Sequence, residues 1–172
     1  MRRLAVVLAI FATVLATALP AAARPLIETN QVDWHIPSGQ CPNLAPGTTL
    51  TGSGNEMSIT TDRTNANGVR TIMNTTHTHG TSFDPAGNDY VFDYSNEFRG
   101  TETAPNSGLF TGLMTDHFSN SGSGPAKLNN GFVARITFND DFSVFFFNGD
   151  PISSHGDPLD FAAGGTAACD PL

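Results

Sequence analysis

The chain has 172 residues and sets eight basic side chains against sixteen acidic ones, a net charge of −8 with histidines neutral. So acidic a surface offers no electrostatic footprint for nucleic acid or anionic lipid. The composition, with 17 glycines, 13 phenylalanines and a single tryptophan, points to strands and turns rather than helices.

Residues 1–23 read as a secretory signal peptide. Arg2 and Arg3 supply the positive start, an apolar run follows, Pro20 ends it, and Ala21, Ala22 and Ala23 offer a small-residue cleavage site. A membrane anchor is the alternative, and the abrupt end of the run at Pro20 argues against it. The mature protein is therefore expected outside the cell, without a membrane partner once the leader is removed. Removal takes Arg2 and Arg3 with it and deepens the negative charge. Residues 24–46 are expected to form an N-terminal arm, and residues 47–172 a single β domain with a C-terminal tail. The two cysteines, Cys41 and Cys169, sit near the two ends of the mature chain and in no C-x-x-C motif. In an oxidising compartment they are expected to pair as a staple.

From residue 48 onward, strand-like stretches alternate with turn signals, and no segment spaces its apolar residues as a helix does. Residues 48–61 read as a strand bent at Gly52 and Gly54. "DRTNANG" leads to a strand over 69–83, and "DPAGN" to one over 89–98, where Tyr90, Phe92, Tyr94 and Phe98 share a face. "APNSG" precedes a strand over 109–119. "NSGSGP" precedes "FVARITF", with Phe132, Ala134, Ile136 and Phe138 aligned. "NDD" then makes a hairpin to 142–148, whose Phe145, Phe146 and Phe147 are expected to be buried on both faces. A shorter strand is expected near 159–163 or leading into Cys169.

A meander of long strands tends to curl and close, because closure removes exposed edges. The expected fold is all-β, an antiparallel up-and-down β-barrel of six to eight strands. A two-sheet β-sandwich is the alternative. The order "CPNL", "HGTSFDPAGNDYVFDY", a glycine-spaced strand and a final "CDPL" resembles small secreted bacterial β proteins of unknown function. The barrel is also similar, by fold analogy only, to lipocalin-like and allene-oxide-cyclase-like barrels, which host both binders and enzymes.

"NTTHTHGTSF" raises the question of a site. His77 and His79 are two apart, so on a strand they share a face. Val69, Met73 and Phe83 lie on that face, which is therefore expected to point inward. If the "DPAGN" hairpin joins like faces, Phe92 and Tyr94 stand beside the histidines. His77, His79, Phe92 and Tyr94 are thus the expected ligand-binding residues. Two histidines on one strand can also supply two ligands to a metal. A third is not evident in the sequence, since Asp116 and His117 fall on a strand that is not the neighbour, so no metal and no cofactor is expected. Asp84 to Asp89 looks oxygen-rich, but it lacks the spacing of a calcium loop and reads as a hairpin turn. Ser153, Ser154, His155 and Asp157 read as a polar turn, because sequence adjacency is not triad geometry.

No nucleophile elbow, zinc-protease motif or phosphate loop occurs. The expected function is a secreted, non-catalytic β-barrel module that binds a small, largely apolar ligand. One alternative is a barrel-type cyclase or isomerase in which a pocket histidine moves a proton. Another is a cell-surface or matrix protein with a packed core. An enzyme is the less favoured reading.

Overall fold

The computed structural model describes residues 24–38 and 44–155. The leader, Cys41, Cys169 and the stretch 159–163 lie outside the described residues. Eight strands follow in order: β1 (Leu26–Pro37), β2 (Thr49–Thr64), β3 (Arg70–Phe83), β4 (Asp89–Glu102), β5 (Leu109–Gly122), β6 (Leu128–Asn139), β7 (Phe145–Phe147) and β8 (Ser153–His155). Each pairs antiparallel with the next up to β7, and β8 also pairs β6. The all-β, up-and-down expectation is met.

Closure is not. The path runs from β1 to β7 and β8, and among the described residues no pairing joins its two ends. The reason is local. After Asn139 the chain makes a wide turn, and after Phe147 it turns again through Gly149 at φ 80°. Two three-residue strands therefore sit end to end along β6 in place of one long strand. The result fits an open barrel or the sandwich alternative.

Three further expectations change. Ser153, Ser154 and His155, expected as a polar turn, form strand β8 against β6. The N-terminal arm is strand β1 for twelve of its residues, paired with β2 throughout. Its signal was the alternation of Val32, Trp34 and Ile36 with Gln31, Asp33 and His35. The phenylalanine run is not buried on both faces. Phe145 and Phe146 are exposed and Phe147 is half-buried, because β7 is an edge strand with only β6 beside it.

The turn between β3 and β4 fixes the register that matters most. Asp84 Oδ1 accepts the backbone N–H of Ala86 and Asn88 at 2.9 and 3.0 Å. Its Oδ2 accepts from Asn88 Nδ2 and the Tyr90 hydroxyl at 2.8 and 2.9 Å. These bonds, the Asn88 side chain foremost, hold the Asp84 carboxyl below its ordinary pKa. The carboxylate is spent on its own turn, as the hairpin reading requires. Gly87, at φ 82°, supplies the left-handed residue.

The inner face of the sheet carries two apolar clusters. One gathers Leu50, Tyr90, Phe92, Phe118 and Leu128 near the β3–β4 turn. The other gathers Phe110, Ile136 and Phe138 at the opposite end, with Ile72, Phe98 and Met114 packed against it. Burying one such ring contributes about 2–3 kcal/mol. Between the clusters runs a polar belt that includes Glu56, Asn74, Thr78, Asn96 and Asp116.

Candidate functional site: the inner trough

Strand alternation aims Thr60 and Asp62 of β2, Arg70, Ile72 and Asn74 of β3, and Phe98 of β4 at the same side of the sheet. With Phe138 of β6 and the turn residues Asp140 and Phe142, they line a hollow of 350 Å³. Small-ligand sites begin at about 300 Å³. Arg70 organises one wall. Its Nη2 meets Asp62 Oδ2 at 2.6 Å and its Nη1 meets Asp140 Oδ2 at 2.9 Å. The guanidinium carbon lies 5.3 Å from the centroid of Phe110, a cation–π distance. The two carboxylates hold the guanidinium charged above its ordinary pKa, by hydrogen bonding first. One side chain thereby ties the β6–β7 turn to β2 and β3.

Phe142 completes that turn. Its φ of 55° lies in the left-handed region that a bulky residue enters only under constraint. The compensation is aromatic: the ring stacks on Phe138 at 5.4 Å and meets the edge of Phe98 at 5.5 Å.

The polar belt borders the hollow. Asn74 Nδ2 donates to Ser58 Oγ and Thr60 Oγ1, both at 2.8 Å. Thr76 Oγ1 donates to Asn74 Oδ1 at 3.0 Å, and Thr78 Oγ1 to Glu56 at 3.2 Å. Deeper in the sheet, Tyr94 Oη and Asn96 Nδ2 both donate to Asp116 Oδ2 at 2.9 Å. Burial pushes the Asp116 carboxyl up, against the opposing pull of its two donors. Burial, reinforced by the neighbouring Asp116, likewise pushes the Tyr94 hydroxyl well above its ordinary range.

The expected quartet does not assemble. Phe92 and Tyr94 are on the inner face, where Phe92 is covered by Trp34. His77 and His79 are on the outer face. The register pairs Phe83 with Asp89, so Thr78 meets Tyr94 and His79 meets Asp93. Odd residues of β3 face outward with odd residues of β4, one residue away from the expected alignment. The apolar residues that argued for an inward face, Met73 and Phe83, are half-buried and exposed. Apart from Ile72, the inner face of β3 is instead built of small and polar side chains. His35, His117 and His155 also point outward, each aligned with outer-face partners. A pocket histidine is therefore missing from the trough. Arg70 and Phe142 are trough residues beyond the expected set; Arg70 is the accessible clue, a lone cation on the face that alternation aligns with Ile72 and Asn74.

Two smaller hollows flank the sheet. One, of 290 Å³, lies between Leu44–Thr48, Asp84–Ala86 and Pro125–Ala126. The other, of 220 Å³, lies beside His117, Val133 and His155. No protein-family model, no curated protein and no solved structure matches this chain.

Proposed function

We propose that this is a secreted, non-catalytic binding module that holds one small amphipathic molecule in the inner trough. The observation that carries the reading is the 350 Å³ hollow with Ile72, Phe98 and Phe138 on its floor and Asn74, Arg70 and Asp62 at its rim. Apolar walls with a few convergent polar groups are the usual make-up of small-molecule sites. The lining is more polar than a purely apolar ligand calls for, so the ligand has a hydrophobic body and a hydrogen-bonding end. The two carboxylates against one guanidinium favour a neutral or cationic end over an anionic one.

The test is native mass spectrometry of protein purified from its own culture medium. A retained small molecule is expected, and Ile72→Trp, which fills the hollow, should release it. Bare-mass protein whose melting no member of an amphipathic library shifts would overturn the reading.

A further inference from the structure

Every histidine faces outward, and three of them fall in one row. His77, Ser95, His117, Gly131 and His155 are successive partners across β3, β4, β5, β6 and β8. His79 lies beside that row, with Asp93 opposite it on β4. Asp93 Oδ1 stands 2.9 Å from His79 Nδ1 and 3.9 Å from His77 Nε2. We propose that His77, His79 and Asp93 form an outer-face site for a divalent transition-metal ion of the zinc class.

Two of the three donor separations lie near what such an ion requires. Tetrahedral ligands at ~2.0–2.1 Å from zinc stand about 3.3 Å from one another. The two separations from Asp93 bracket that spacing. Among the described residues no trio of His, Cys, Asp or Glu is already posed around an ion, so the cation must draw these side chains together. They are able to move: His77, His79 and Asp93 are 53%, 63% and 41% exposed. Exposed side chains change rotamer within nanoseconds. His79 and Asp93 are already in hydrogen-bond contact, so the chief adjustment is an approach of His77, now 3.9 Å from Asp93 Oδ1.

The donor set selects the class. Two imidazoles and one carboxylate suit zinc, copper and nickel, whereas calcium and magnesium prefer all-oxygen sites. The Asp93 charge and the acidic chain both favour a cation over an anion. Water fills the remaining position. The site is on the opposite face from the trough and does not depend on it.

The test is calorimetric titration of the chelator-stripped full mature protein with Zn²⁺ at about pH 7.5. A one-to-one transition is expected. Asp93→Asn and His79→Gln should each weaken it by about tenfold or more. The double variant His117→Gln, His155→Gln should leave it unchanged, and Mg²⁺ and Ca²⁺ should not compete. In the unaltered protein, Cu²⁺ should broaden the ring resonances of His77 and His79 before those of His117 and His155, which decides the matter if a variant fails to fold. No one-to-one transition, or one lost with His117 and His155 but kept in Asp93→Asn, overturns the proposal.

Discussion

The indole of Trp34 stacks on the ring of Phe92 at 4.1 Å, although β2 and β3 run between their strands. Two glycines make this reach possible. A Cβ on Gly52 would lie 2.5 Å from the indole Cε2, and one on Gly80 2.7 Å from Cζ2's neighbour Cη2. The indole lies flat over a strip of bare backbone, and Phe92 closes its far end.

Gly80→Val should therefore press on the indole and, closer still, on the β2 backbone at Ser53 and Gly54, lifting the indole off Phe92 at a cost of about 1–3 kcal/mol or more, the range for overpacking. Trp34 is the single tryptophan, so its fluorescence reports the change directly. Emission should shift to the red and the melting temperature should fall. An unshifted spectrum in a folded variant contradicts the account.

Arg70→Gln should release the β6–β7 turn. Both ion pairs are partly exposed, so the stability loss should be about 1 kcal/mol and should shrink in high salt. The larger effect is local. Amide hydrogen exchange across residues 140–146 should accelerate while the centre of β4 stays protected. Equal exchange in both proteins would show that the turn holds without its strap.

Asp116 sets a pH dependence with a definite sign. Its folded pKa is raised, so the folded state holds that proton more tightly than the unfolded chain does. Its contribution to stability is fully present below the unfolded value, near 4, and is lost as pH rises through the folded value. Asp116→Asn keeps an oxygen acceptor for Tyr94 and Asn96 and removes the buried charge. The variant should melt with the parent at about pH 3 and above it at neutral pH. A variant less stable than the parent at neutral pH would mean that the ionised carboxylate is favoured where it stands.

Cys41 and Cys169 should be recovered as a linked pair in peptide mapping without reduction. β8 pairs Ser153 with Val133 and His155 with Gly131, so it runs toward the end of the sheet where β1 passes to β2. Closing so long a loop stabilises by up to about 5 kcal/mol in the chain-entropy model. Two alkylatable thiols in the purified protein would rule the pairing out.

Strands β2 to β7 were legible in the sequence because alternation and turn chemistry are local, whereas β1 and β8, at the two ends of the sheet, were not. Tyr90, Phe92, Tyr94 and Phe98 announce β4 and its buried face without reference to any neighbour, and Asp84 and Gly87 announce the turn before it. Even the shared face of His77 and His79 follows from a strand's two-residue period. Which face that is does not follow, because one residue of hairpin register exchanges inside for outside. Tertiary pairing decided it: Phe83 meets Asp89, so the histidines stand in solvent beside Asp93, and the aromatic row lies on the far side. The trough was beyond sequence reasoning for the same reason. Arg70, Asp62 and Asp140 meet only after β2 and β3 have paired and the turn after β6, separated from them in the sheet by β4 and β5, has come back over them.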